Sequence, residues 1–438
     1  MIIILIQFKF LKAATALTKE LNLMTSLSFV YFAISVGVAL QVGGANWDII
    51  WHGIVNVESF FTPPHTVIYS GVALAIIAIL FGIIKSIKSN NHLRYQQQQQ
   101  QQQGKQSLSS FSPKLLLSYV PFPLRLAAAG SLMQLFSGRF DYWWHSNFGF
   151  DGLLSPPHFL LVVGMIMSIL GALIGIYNLK NLTTTTTSSS EGRIQETKER
   201  NKNSHFINIS FLFAYAIFWM VAVNTVFMFT LPYSKGQYFD FNPDPFAAII
   251  TASLLIPLFT GMIFFIVTRT NKTPFMFTLI TAFFMIIQST ATIISNAYFV
   301  ALYPLYLLNI LSALAADVIV LQYGRKRKAK ETTEIKSSKI TITTATTTNT
   351  TDIYRSIIAP AIVSIFFITL FFPWSVNIYK TYFGIHLNTF GSVSIFEQLL
   401  WTIIIPVIMP IAAVMSIVGS YIMFKLMNTA KTRKRIFI

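Results

Sequence analysis

Asp48-Ile49-Ile50-Trp51-His52 leads through Glu58 to Thr62-Pro63-Pro64-His65, and the nineteen residues that follow, TVIYSGVALAIIAILFGII (66–84), carry no charge. Ninety-three positions later the same arrangement returns as Asp141-Tyr142-Trp143-Trp144-His145, Asp151 and Ser155-Pro156-Pro157-His158, followed by the uncharged run FLLVVGMIMSILGALIGIY (159–177). About twenty uncharged residues make a helix long enough to cross the hydrocarbon of a bilayer. Pro lacks an amide proton and its φ suits a first helical turn. Thr62 therefore reads as the N-cap, Pro63 as the first helical residue and His65 as part of the first turn, with Ser155, Pro156 and His158 in the same places. Each copy then joins the end of one helix to the start of another, which fixes a helical membrane architecture with an internal repeat.

Composition agrees with that reading. Of the 438 residues, 54% are hydrophobic and only 11% charged, so the chain is an integral membrane protein. Its +17 charge is not evidence for nucleic acid as a partner, because the basic residues cluster between apolar spans and the lipid bilayer explains them. The chain has no cysteine, so a metal would rest on His, Asp, Glu, amide or Met groups.

The apolar stretches predict an all-α polytopic fold of about ten transmembrane helices, near 22–46, 65–86, 115–138, 157–179, 206–231, 246–268, 274–295, 302–323, 355–373 and 399–424. Of the 32 Lys and Arg residues, 28 fall at the two termini or in alternate loops, which predicts both termini on the cytoplasmic side of the cell membrane and both motifs outside. Each repeat holds two spans, so the copies enter in the same direction and form a parallel repeat of two-helix units. The expected organisation is a duplicated four-helix unit (1–180), a cytoplasmic linker (181–204), a four-helix unit (205–325), a disordered linker (326–352) and a terminal helix pair (353–438). The glutamine run 96–103, the tract 183–190 and the Thr-rich basic stretch 325–351 are expected to be disordered, since they offer little apolar surface to bury.

Asp-x3-His-x12-His supplies two imidazoles and a carboxylate, a donor set suited to borderline divalent metals. If the first helix continues to its outer end, Gln41, Asp48 and His52 lie at i, i+7 and i+11 on one face, and Gln134, Asp141 and His145 repeat this. His65 and His158, at the start of the next helix, complete two predicted metal sites: Asp48, His52, His65 and Asp141, His145, His158. A fourth position is open to water, substrate or Gln41 and Gln134. Glu58 and Asp151 are either solvated loop acids or acceptors that orient a ligating imidazole. Arg139, where repeat one has Asn46, is placed to pair with Asp141 and weaken metal binding in repeat two.

These residues resemble the copper-site motif in the copper-binding membrane component of the monooxygenases that oxidise ammonia and methane. The match runs through Asp48, Trp51, His52, Glu58, Thr62, Pro63 and His65, and again through Asp141, Trp144, His145, Asp151, Pro156 and His158. The resemblance implies copper ions as cofactors at both triads and a redox enzyme acting on a small molecule, and it leaves further membrane subunits open as partners. It covers two windows of eighteen residues, and where the family has an acid three positions after the last His this chain has Ile68 and Leu161. Two other functions fit the residues: a transporter or metal-delivery protein, and a zinc-dependent hydrolase with Glu58 or Asp151 as base. Asp317 is an acid inside the eighth span, expected either to serve a proton path or to bond a neighbouring helix.

Overall fold

A computed structural model describes the backbone of residues 2–54, 60–101, 120–149, 153–187, 194–230, 245–271, 273–295, 300, 303–337, 349–370 and 400–436. Among these residues the protein is all-helical, with ten α-helices: α1 (Ile2–Ile54), α2 (Pro63–Gln101), α3 (Phe122–Phe148), α4 (Pro156–Thr187), α5 (Ile194–Thr230), α6 (Pro245–Thr270), α7 (Met276–Ser295), α8 (Tyr303–Ser337), α9 (Asn349–Leu370) and α10 (Met409–Ile436). A π-helix, Leu400–Ile408, runs into α10. Helices satisfy every backbone group within one segment, as hydrocarbon requires.

Among the described residues seven stretches are long and apolar enough to cross a membrane, at Leu23–Trp51, Pro63–Ser89, Pro156–Leu182, Ser204–Thr230, Ala247–Thr270, Met276–Ile294 and Ile405–Met427, with shorter apolar runs at Tyr306–Gln322 and Ser356–Thr369. The expected span at 115–138 corresponds to α3, which is less apolar because it carries Arg125, Ser131, Gln134 and Ser137. Apart from Arg125, its exposed side chains within that span are nonetheless hydrocarbon, Leu132 being 66% exposed and Phe136 63%, which suits a lipid surface.

Residues 96–101 continue α2, 183–187 continue α4, and 325–337 continue α8. Extending an existing helix needs no new nucleus; Gln, Lys and Arg at 96–101 and 325–337 are good helix formers, whereas the five threonines 183–187 are poor ones and are carried by the helix before them.

The chain divides into two compact units, one of Met1–Gln41, Tyr69–Gly138 and Leu160–Ala214, the other of Val42–Ile68, Arg139–Phe159 and Tyr215–Ile438. In the first unit the duplication shows as repeated geometry. α1 crosses α2 at Gly37 and Gly71, and α3 crosses α4 at Gly130 and Gly164, each offset by the same ninety-three positions. A Cβ at Gly37 would lie 2.6 Å from the Gly71 carbonyl oxygen, and one at Gly130 would lie 2.5 Å from that of Gly164, so only glycine permits either crossing. The copies also exchange contacts. Gly82 of α2 faces Leu124 of α3, while Gly175 of α4 faces Tyr31 of α1, the equivalent pair with the repeats interchanged.

In the second unit Trp219 is fully buried among Phe264, Phe284 and Phe367, with ring centroids 4.8–5.0 Å away, and its indole N–H donates to Thr260 Oγ1 at 2.9 Å. α6 and α10 meet at Gly261 and Gly419, where Ser420 Oγ donates to the Gly261 carbonyl at 3.2 Å.

Asp317 on α8 has a definite structural role. α7 begins after Phe275, which sits at a positive φ of 58° and whose side chain cannot cap the helix. The carboxylate of Asp317 accepts instead from the backbone N–H of Thr278 at 2.8 Å, from its hydroxyl at 2.7 Å and from Phe277 N–H at 3.4 Å. An acid on one helix thus caps the N-terminus of another, where orphan donors and the helix dipole both favour negative charge. This is the bond to a neighbouring helix that the sequence left open. Asp317→Ala is expected to cost about 2–3 kcal/mol, since charged hydrogen bonds and buried donors are lost together, and Asp317→Asn should recover part of it. A thermal melt of the purified variants checks this; an unchanged melting temperature in Asp317→Ala would rule out the capping role.

Candidate metal centres

Local rules build both sites. Thr62 Oγ1 accepts the His65 amide at 3.3 Å and Ser155 Oγ accepts that of His158 at 3.4 Å, so both N-caps form as the sequence predicts, with Pro63 and Pro156 as first helical residues. α1 and α3 run on to Ile54 and Phe148, which keeps Asp48 with His52, and Asp141 with His145, one helical turn apart.

In repeat two the three predicted ligands converge. Asp141 Oδ1 lies 3.4 Å from His145 Nε2 and 3.1 Å from His158 Nε2, and one donor atom from each residue lies within 4.8 Å of the others. The far side of each ring is also fixed. His145 Nδ1 is 3.1 Å from the Gly149 carbonyl and His158 Nδ1 is 3.2 Å from the Leu153 carbonyl. A carbonyl only accepts, so in each ring Nδ1 carries the proton and a neutral imidazole turns its Nε2 lone pair inward. Three lone pairs then face one point. They repel unless a cation, either a metal ion or extra protons, lies among them.

Gly149 does two things here. At φ +73° it ends α3 as a left-handed cap, with its N–H bonded to the His145 carbonyl at 3.0 Å, and this reversal brings its own carbonyl back to the His145 ring. The ring-orienting role considered for Glu58 and Asp151 is filled in repeat two by these backbone carbonyls; Glu58 and Asp151 themselves lie outside the described residues. The cap glycine after a helical pattern is a readable signal, whereas the Leu153 carbonyl is not. Burial raises the Asp141 carboxyl, but His158 and His145, when protonated at Nε2 as well, outweigh it through charge and hydrogen bonds and hold the group well below the usual carboxylate range. The ligand side chains are 18–26% exposed, enough to leave an approach open on one side.

Repeat one shows the same frame in part. His65 Nε2 lies 3.2 Å from Asp48 Oδ2, while the side chain of His52 lies outside the described residues. The two motif regions touch through Phe60 and Tyr142, ring centroids 5.5 Å apart. Trp51 packs edge-on to Trp47, and Trp144 packs on Phe148. Gln41 and Gln134 are buried beside Gly71 and Gly164, and the Gln134 amide donates to Ser168 Oγ at 3.2 Å.

The expected Arg139–Asp141 pairing is corrected. Residues two apart on a helix point to nearly opposite faces; Asp141 turns to the two histidines while Arg139 is exposed. Asn46, its counterpart, is 1% exposed and donates to Gln288 of α7 at 3.0 Å, a partner that sequence reasoning missed because it lies 242 residues away. Arg139→Asn is therefore expected to leave metal content unchanged, as read by elemental analysis of purified protein. A gain of a full equivalent would restore the repulsion argument.

The sequence matches no protein family and no curated protein, and the structure matches no solved structure.

Proposed function

We propose that this protein is an integral membrane metalloprotein whose paired Asp-His-His centres bind a divalent transition metal, copper before zinc, and serve redox chemistry on a small molecule. The observation that carries the reading is the set of three lone-pair donors of Asp141, His145 and His158 within 4.8 Å, with both rings tied back at Nδ1. Neutral imidazoles with one carboxylate suit copper and zinc alike, and three protein ligands leave a position for an exchangeable group. The resemblance of both motifs to the copper-site sequence of the ammonia and methane monooxygenases favours copper. Asp48, His52 and His65 would hold the second ion. A bound copper ion supplies one-electron chemistry or Lewis acidity, and the chain supplies orientation: the Gly149 and Leu153 carbonyls hold the rings, and Asp141 offsets the ion's charge. The transporter reading loses its inner station, since Asp317 is occupied in capping α7.

We also place both motifs on the external face and both termini in the cytoplasm, from the distribution of basic residues. The experiment is elemental analysis of protein purified without chelator, then electron paramagnetic resonance of the oxidised sample for nitrogen coupling to copper. Two copper ions per chain are expected, and zinc alone would favour hydrolysis. Binding should be full near pH 7.5 and weaken as pH falls, because protons compete with the ion for Nε2. A metal content that stays constant down to pH 5 would argue against histidine ligation. Reporter fusions in the 47–62 segment that report the cytoplasmic side would overturn the siting.

A further inference from the structure

The glycine crossings of the first unit hold a matched pair of buried polar side chains. Gln41 is fully buried and Gln134 is 2% exposed, each inserted against the glycine of the facing helix. A Cβ on Gly71 would stand 2.9 Å from Gln41 Cγ, and one on Gly164 would stand 2.7 Å from Gln134 Cγ, so both repeats keep a glycine where it admits the amide. Among the described residues neither Oε1 nor Nε2 of Gln41 has a hydrogen-bond partner, and Gln134 has one for Nε2 but none for Oε1. The difference traces to one substitution between the repeats: Ser168, which accepts from Gln134, is matched by Ala75 beside Gln41.

An orphaned primary amide in a dry, close-packed crossing is strongly unfavourable, and an apolar side chain of equal length would avoid it. Two independent copies nevertheless hold a glutamine, each with an acceptor oxygen left over. We propose that Gln41 and Gln134 each anchor a buried water, and that the two form matched hydrated stations inside the helical unit. Both waters donate to Oε1. In repeat one the water also accepts from Nε2, taking the place of the Ser168 hydroxyl. In repeat two Ser131, whose hydroxyl lies 3.4 Å from that of Ser168, widens the polar patch. Water is the smallest guest that can donate to an amide oxygen and accept from an amide N–H.

The test is a structure of the wild-type protein in lipid, at a resolution that shows waters on other buried polar groups, together with one of Gln41→Met. Density about 2.7–3.2 Å from both Gln41 and Gln134 amide oxygens is expected. Gln41→Met should lose the density at 41 and keep that at 134. Absence of density at either wild-type amide overturns the proposal, as does density at 41 that survives in Gln41→Met. The wild-type map decides alone if the variant does not fold. Metal content is read separately, so a metal-free protein with both waters present would sink the metal reading and leave this one standing.

Discussion

Purified His158→Ala protein is expected to carry one bound metal ion fewer per chain than wild type, with affinity at the second repeat lower by at least about 100-fold. That floor comes from metal sites in which changing only the partner of a ligating histidine already costs 10–100-fold; here a ligand itself is lost. The geometry explains why no neighbour can substitute. Asp141 Oδ1 is already close to both Nε2 atoms, and His145 is held by the Gly149 carbonyl, so neither can swing to fill the gap. Asp141→Asn should be nearly as damaging, because it removes the negative charge that offsets the ion. His65→Ala should remove the other equivalent, and the double variant both. Elemental analysis with titration calorimetry reads these outcomes. If His158→Ala keeps its full metal complement, the convergence of the three side chains is a hydrogen-bonded cluster and the metal proposal fails. If either single variant loses both ions, the repeats build one shared centre.

The largest effect on folding is expected from Gly261→Val, which should leave little or no folded protein. A Cβ at that position would fall on the backbone carbonyl of Ser416, and the reciprocal Gly419 faces the carbonyl of Leu258. Backbone cannot move aside as a side chain can, so the helices must separate and give up the surrounding packing. Overpacking alone costs about 1–3 kcal/mol, and a forced separation belongs with the larger values. Gly138→Ala is the control with the opposite sign. Its new methyl would meet only the Tyr69 ring edge, at 3.9 Å, and alanine is the better helix former by up to about 1 kcal/mol. Size-exclusion profiles and thermal melts of the two variants should therefore diverge. A well-folded Gly261→Val protein would mean that α6 and α10 do not approach this closely.

Much of this was readable in the chain because the governing rules are local. Thr62-Pro63 and Ser155-Pro156 announce helix starts through the chemistry of four consecutive residues, and Asp141 and His145 share a face because the helical repeat is fixed. What could not be read depends on contacts distant in sequence or blind to residue type. The Leu153 carbonyl that orients His158 could belong to any residue. Asp317 stood out as an acid in an apolar run, but its partners lie about forty residues earlier, at a helix start whose own N-cap is Phe275. The pairing expected between Arg139 and Asp141 failed because nearness in sequence was read without the helical rotation between them.

The interchanged contacts, Gly82 with Leu124 and Gly175 with Tyr31, carry a consequence for ancestry. A surface that receives from its copy the residue it gives in return is what a two-fold homodimer presents. A half-length chain of two helices would already hold both sides of that interface and could have worked as a pair of separate molecules. Joining the halves in one chain removes the requirement that a single sequence serve both places. Asn46, sealed against Gln288, and Arg139, left exposed, occupy equivalent positions and could not both be chosen in a true dimer. Fusion therefore lets two Asp-His-His motifs of common origin diverge in their surroundings while each keeps the same residue spacing.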